Sequence, residues 1–143
     1  MRARPLRSDC PIAASLDIIG DRWTLLVLRD LLLAGRTRFG ELAHQESIAT
    51  NVLSDRLADL VDRGLIERSP DPEDGRRVIY RPLLPAIELL PVIAELVGWG
   101  ARHTPVDLPP ELEPLTDPAS RRRIVTNRTR QLTRALSETD PER

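Results

Sequence analysis

Residues 48–81 read IATNVLSDRLADLVDRGLIERSPDPEDGRRVIYR, and the reading of this stretch decides the fold. From Ile48 or Ala49 to Arg63, the residues Leu53, Leu57, Leu60 and Val61 recur at helical spacing and form one apolar stripe. Gly64 stands where a helix ends on a left-handed residue. Residues 65–68 (LIER) and 78–81 (VIYR) are short runs rich in β-favouring residues. Residues 69–77 between them are crowded with turn formers and include Asp74-Gly75. A helix followed at once by a hairpin with a charged tip is the order of a winged helix.

Upstream, Thr37 is placed to cap a short helix with Phe39, Leu42 and Ala43 inward, followed by a polar break at 44–47. That helix and the one at 48–63 make a helix-turn-helix pair. By spacing alone the pair is a weak signal. Further upstream, Asp21 caps residues 22–33, a segment apolar on most faces and therefore expected at the centre of the core. Ala34-Gly35 ends it. Residues 11–19 form a first helix, with Asp9 as cap, Pro11 in the first turn and Gly20 closing it.

Downstream, residues 85–102 carry Ile87, Leu90, Val92, Ile93, Leu96, Val97 and Trp99, more apolar surface than a lone exposed helix keeps. A second copy of the chain is the economical cover. Residues 103–118 hold Pro105, Pro109, Pro110 and Pro114 and read as an extended linker. Residues 119–136 form a basic helix with Val125, Leu132 and Leu136 on one face, and 137–143 a disordered tail.

The expected fold is thus mainly α with a small β-hairpin wing (α+β). It is a winged helix-turn-helix over 10–102 that dimerises through its terminal helices, with an arm at 1–9, the linker at 103–118 and a basic helix and tail at 119–143.

Composition fits. The 143 residues are 41% hydrophobic but only 3% aromatic, so the core is aliphatic. The basic N-terminus lacks an h-region and cleavage site, and no apolar run approaches the ~18 residues that span a bilayer. The expectation is a cytoplasmic protein with no membrane partner, associated with the nucleoid when on DNA. Cys10 is the only cysteine, which excludes an internal disulfide and any multi-cysteine metal site. All 21 basic residues other than histidine are arginine, a side chain suited to phosphate and guanine. The net charge is −1, against the basic balance of most nucleic-acid binders, so the charge on the docking face has to decide.

Several runs resemble HxlR-type transcriptional regulators. They are Cys10-Pro11-Ile12-Ala13, 16–26 (LDIIGDRWTLL), 28–31 (LRDL), 38–42 (RFGEL), 52–57 (VLSDRL), Leu60, 64–68 (GLIER), Tyr80, 89–91 (LLP) and Trp99-Gly100. The resemblance covers about two-thirds of the chain in order. It implies a dimeric winged helix-turn-helix that binds operator DNA and regulates transcription, with repression as the expected sense. The chain departs from the pattern at Ala49-Thr50-Asn51, where the family has a small polar and a basic residue. It departs again after Tyr80, at Pro82, Leu83, Pro85 and Ala86. The wing tip at 71–76 looks more like that of the related MarR regulators, and 103–143 lie outside the resemblance.

With Leu53, Leu57 and Leu60 inward, Asn51, Ser54, Asp55 and Ala58 point outward and Thr50 and Arg56 lie on the flanks. Asn reads adenine and Arg reads guanine, so Thr50, Asn51, Ser54 and Arg56 are candidate DNA contacts. The plain alternative is a solvated helix face with Arg56 paired to Asp59 or Glu41. Asp55, Asp59 and Asp62 repel phosphate, so the helix enters a groove N-terminus first. Arg76 and Arg77 behind the wing tip reach phosphates or a minor groove, or else pair locally with Asp74 or Glu73. Arg38 suits a phosphate, or else a surface salt bridge.

Cys10 at a helix start, with Arg7 nearby, is a candidate redox or electrophile sensor; the alternative is a small buried packing residue. Some HxlR-type proteins sense oxidants through a cysteine near this point, so an oxidant or small-molecule effector belongs to the expectation. No cofactor, metal or catalytic residue is expected: His44 and His103 lack companions at metal spacing, and there is no phosphate loop or nucleophile elbow. The rival to a regulator is a winged helix used for protein assembly without DNA.

Overall fold

The helix the sequence places at the centre of the core is there. In the computed structural model, which describes residues 7–139, α1 (Pro11–Ile19) and α2 (Thr24–Leu32) open the chain. Val27, Leu28, Leu31 and Leu32 of α2 are buried. The N-cap residue of α2 is Trp23, without a side-chain cap of its own; Asp21, two residues earlier, closes the helix start instead, its carboxylate accepting the N–H of Trp23 (2.9 Å) and of Thr24 (3.1 Å), and also the Thr24 hydroxyl. The cap of α1 differs from expectation. Asp9 makes no cap; Cys10 is the N-cap residue with no side-chain cap, and the Ser8 hydroxyl accepts the Cys10 N–H instead (3.0 Å).

The short helix expected after Thr37 is not α-helical. Two 3-10 turns, Phe39–Glu41 and His44–Glu46, stand there, and Ala43 and Ser47 between and after them are left-handed (φ 50° and 53°). A Cβ makes that conformation costly, about 1–3 kcal/mol per residue. Asp30 of α2 explains why Ala43 holds it. The buried Asp30 carboxylate accepts the Ala43 N–H at 2.6 Å and the Arg29 Nε at 3.0 Å, while Arg29 Nη1 reaches Glu46 at 3.0 Å. Leu42 and Ala43 are buried beside it. At the start of the first turn, the Glu41 carboxylate accepts the N–H groups of Thr37 and Arg38 (3.3 and 3.2 Å), so the cap is supplied by Glu41 and not by Thr37.

Helix α3 (Thr50–Asp62) buries Leu53, Leu57 and Leu60. It ends at Gly64 (φ 76°), whose N–H bonds to the Val61 carbonyl while the Leu65 N–H bonds to that of Leu60, the paired closure of a Schellman turn. Strands β1 (Ile66–Pro70) and β2 (Val78–Pro82) pair antiparallel, with Arg68 opposite Tyr80. Arg38 bridges to Ile79, and the Tyr80 N–H bonds to the Thr37 carbonyl (2.8 Å). The helix-turn-helix is thereby stitched to the wing.

The chain divides into two compact units at Leu83/Leu84. In the second, the helix expected at 85–102 is broken at Glu88-Leu89 into α4 (Leu84–Ile87) and α5 (Leu90–His103). By length and composition alone the stretch Leu84–His103 is long and apolar enough to cross a membrane, with an 18-residue window of mean hydropathy 1.4. This corrects the expectation of no such segment: Glu88 and Glu95 interrupt the apolar run without lowering its average enough. Pro110–Leu115, expected as extended linker, is a 3-10 helix with Leu115 buried, since proline in a first helical turn is favourable. Helix α6 (Pro118–Thr139) includes Ser137–Thr139 of the expected tail; residues 140–143, like 1–6 of the arm, lie outside the described residues. Arg121 is buried on α6, 3.0 Å from Glu95 and from the Leu115 carbonyl. A Cβ on Gly98 would collide with its guanidinium, which is why glycine stands there.

The Asp30 arrangement predicts that Asp30→Ala, which leaves the Ala43 N–H and Arg29 without their buried acceptor, destabilises the chain by roughly 3 kcal/mol. Urea unfolding checks this, and a loss below about 1 kcal/mol would remove Asp30 from its role.

Candidate nucleic-acid interface

Burial of Leu53, Leu57 and Leu60 fixes the rotation of α3, and the opposite face follows from it. Thr50, Asn51, Ser54, Asp55 and Ala58 are all exposed. Ala49, the N-cap residue, supplies no side-chain cap, so the first-turn amides keep their donors outward. The N-terminal half of this face is neutral and rich in hydrogen-bonding groups, whereas Asp55 and Asp62 are exposed further along.

Arg56 does not share this face. It is half-buried and turns back toward the start of α2, with Nη1 3.8 Å from Asp21 Oδ1. Asp59, one of the expected partners, holds Arg63 at 2.8 Å. Burial raises the Asp21 pKa, but the Thr24 hydroxyl, the Trp23 and Thr24 amides and Arg56 outweigh it and hold Asp21 below its ordinary value.

The wing is organised by two aspartates that sequence reasoning left as turn formers. Asp71 Oδ1 accepts the Glu73 N–H (2.9 Å) and Asp74 Oδ1 the Arg76 N–H (3.1 Å), two Asx turns in succession. The spacing Asp-x-Glu and Asp-Gly-Arg was the signal available for them. The Asp71 N–H in turn bonds to the Arg77 carbonyl (2.9 Å) and closes the loop.

Arg38 joins this loop. Its Nε lies 3.0 Å from Asp71 Oδ2 and its Nη2 2.8 Å from Glu73 Oε2. The charge that suited a phosphate is here a brace from the helix-turn-helix to the wing. Arg76 and Arg77 sit at the tip, 91% and 65% exposed, each against Asp74 at 3.2 and 3.7 Å. Local pairing and outward exposure hold together at these two positions.

Cys10 is exposed at the start of α1. Arg7, expected near the thiol, pairs with Asp17. Among the described residues, no group of three or more His, Cys, Asp or Glu side chains is placed to hold a metal ion.

Residues 18–107 match the model of a family described as HxlR-like helix-turn-helix. The chain belongs to this family. It is 38% identical over 94 residues to an uncharacterised HTH-type transcriptional regulator of Mycobacterium tuberculosis, a match over 66% of this chain. The chain spans only 59% of the length of that relative. A second HTH-type regulator, from Halalkalibacterium halodurans, is 32% identical over 96 residues, 66% of this chain and 85% of that one. Among solved structures, PA1607, a candidate transcription factor, is similar with a TM-score of 0.64 and 35% identity, covering 71% of this chain and 70% of its own. The redox regulator HypR in its oxidized form is similar at a TM-score of 0.60 and 25% identity, over 68% of this chain and all of that one. The fold of this HxlR-like chain is thus a winged helix-turn-helix, and α3 is its second, outward-facing helix. The part after residue 107, with the 3-10 helix and α6, lies beyond the family match.

The Glu73 amide, and after it Arg38, hold the Asp71 carboxyl below the ordinary 3.8. A depressed carboxylate stabilises the fold above that value, and its contribution is lost as pH falls through the lower folded-state pKa. NMR titration of the Asp71 carboxyl is therefore expected to give a midpoint below 3.8 in the parent, moving upward in Arg38→Gln. An unchanged midpoint in the variant would dissolve the brace.

Proposed function

We propose that this chain is a sequence-specific double-stranded-DNA-binding transcriptional regulator, a repressor that acts as a homodimer. The observation that carries the reading is the exposed, neutral, hydrogen-bonding face of Thr50, Asn51 and Ser54 at the start of α3, on a fold whose relatives are named as transcriptional regulators.

The charge pattern sets the pose. Asp55 and Asp62 repel phosphates, so α3 enters the major groove by its N-terminal turn, bringing the positive helix end to the DNA. Asn51 offers the amide that matches an adenine edge; Thr50 and Ser54 offer hydroxyls to bases or phosphates. The wing tip presents Arg76 and Arg77, which exchange Asp74 for a phosphate or minor-groove contact. In this reading Arg38 and Arg56 act one step back, Arg38 by holding the wing and Arg56 by tying α3 to the Asp21 cap.

The dimer rests on apolar side chains that each unit leaves in water. Ile12 and Leu16 of α1 are 72% and 52% exposed, and Val92, Leu96 and Trp99, at helical spacing on α5, are 42%, 47% and 55% exposed. A second copy covers such stripes, and a two-fold dimer sets its two α3 helices on half-sites about one DNA turn apart, roughly 34–36 Å. Occupancy of such a site in a promoter excludes polymerase, hence repression.

Gel shifts on the DNA upstream of the chain's own gene, at two salt concentrations, test this reading against a protein-assembly module. Specific binding that weakens steeply with salt is expected, and its absence would sink the regulator. Asn51→Ala should weaken operator binding by roughly 1–3 kcal/mol with the fold unchanged.

For regulation we propose oxidation of Cys10. Its exposure is the supporting observation, together with the likeness to HypR, a protein named as a redox regulator. Mass spectrometry after mild oxidant should find Cys10 modified and operator affinity altered; an unmodified thiol with unchanged affinity ends the idea.

A further inference from the structure

We propose that α6 is a second DNA-binding element, a sequence-independent clamp on backbone phosphates outside the part of the chain that the family defines. The inference rests on the DNA-binding reading above and adds to it a surface of its own.

Helix α6 carries six arginines against one glutamate, whereas the whole chain has a net charge of −1, so the rest of the molecule is net acidic. The six are not equivalent. Arg121 is buried against Glu95 and the Leu115 carbonyl, and the half-buried Val125, Leu132 and Leu136 lie on its side of the helix. That side is the docked one within the second unit.

Arg122, Thr126, Arg130, Thr133, Arg134 and Ser137 recur at three- and four-residue steps and therefore share the other face. Thr126, Arg130, Thr133, Arg134 and Ser137 line one open depression along the helix, bordered by Thr129 and by Val125 of the docked side. Arg122, Arg130 and Arg134 are exposed.

The pairing state of these arginines differs from that in the first unit. There Arg29, Arg36, Arg38, Arg63, Arg76 and Arg77 all lie within 4 Å of a carboxylate. On α6, among the described residues, no ion pair within 4 Å involves Arg122, Arg123 or Arg130, and Arg134 meets only Glu138 one turn on, at 3.0 Å. A row of exposed guanidinium groups, in which Arg134 alone has a carboxylate beside it among the described residues, interleaved with hydroxyls, fits a linear polyanion. From Arg122 to Arg134 the helix rises about 18 Å, which spans several phosphates of one strand at ~3.4 Å of axis per phosphate. Nothing in the row selects a base. The helix-turn-helix unit reads sequence with little net charge, and α6 supplies the electrostatic affinity that it lacks.

The test compares the full-length parent with Arg122→Gln/Arg130→Gln/Arg134→Gln and with the matching triple lysine variant. Binding is measured by fluorescence anisotropy across salt, on the upstream DNA and on an unrelated duplex of equal length. In the glutamine variant the slope of log affinity against log salt should become shallower by about 2–3 for each protomer on the DNA, about 5 for the homodimer, close to 0.9 for each phosphate that is no longer neutralised. Both duplexes should lose affinity by the same factor, so that sequence preference stays. The lysine variant should keep the parent slope, which a purely structural role for these residues would not explain. An unchanged slope in the glutamine variant overturns the clamp while leaving the regulator reading intact. So does a glutamine variant that changes the sedimenting mass instead, because the face is then a protein interface. A parent with no DNA binding at any salt overturns the regulator reading first and the clamp with it.

Discussion

The buried Asp30 carboxylate is the point on which the passage from α2 to α3 depends. It draws in the N–H of Ala43, and by doing so holds a residue with a side chain in a left-handed conformation. That bend lets the chain leave α2, make two tight 3-10 turns and enter α3 at a set angle. Arg29, bonded to Asp30 and to Glu46, adds a tie at the far end of the same loop. Three backbone-level consequences thus follow from one side chain two positions before the end of α2.

The same economy governs the charges. Most arginines of the first unit answer a nearby carboxylate, and each pair has a structural duty: Arg38 braces the wing, Arg63 closes onto Asp59, Arg56 returns to the cap of α2. A nearly neutral balance is therefore not a sign against DNA. Under the proposed function, recognition is left to a few outward groups on α3 and the wing tip, with charge concentrated on a separate helix. The carboxylates Asp71 and Asp74, both held below the ordinary value, keep the wing shaped at any pH near neutrality.

How much of this could be read from residues alone varies with the range of the interaction. Leu53, Leu57 and Leu60 announced the buried face of α3, Gly64 its end, and Asp21 the cap of α2, because each acts within a few residues. The 3-10 turns at Phe39–Glu41 and His44–Glu46 were not legible: their cause, Asp30, lies nine residues or more upstream. The Arg38–Asp71 brace joins residues 33 apart, so Arg38 read as a phosphate ligand. Pro110–Leu115 misled for a different reason. Prolines mark a stop for a long helix, but they also suit a short turn once Leu115 has a core to enter.

By itself the sequence determined the order of elements, the apolar faces of the helices and the outward set Asn51, Ser54, Asp55 and Ala58, since periodicity and caps are local physics. It also carried the likeness to HxlR-type regulators through residues 10–100. Only the tertiary structure decided which arginines are spent inside the fold and which remain outside. Pairing is settled by distances between residues far apart in the chain, and no spacing rule reports them. That is why Arg38 and Arg56 read from the sequence as outward contacts, while in the structure they stand beside Asp71, Glu73 and Asp21.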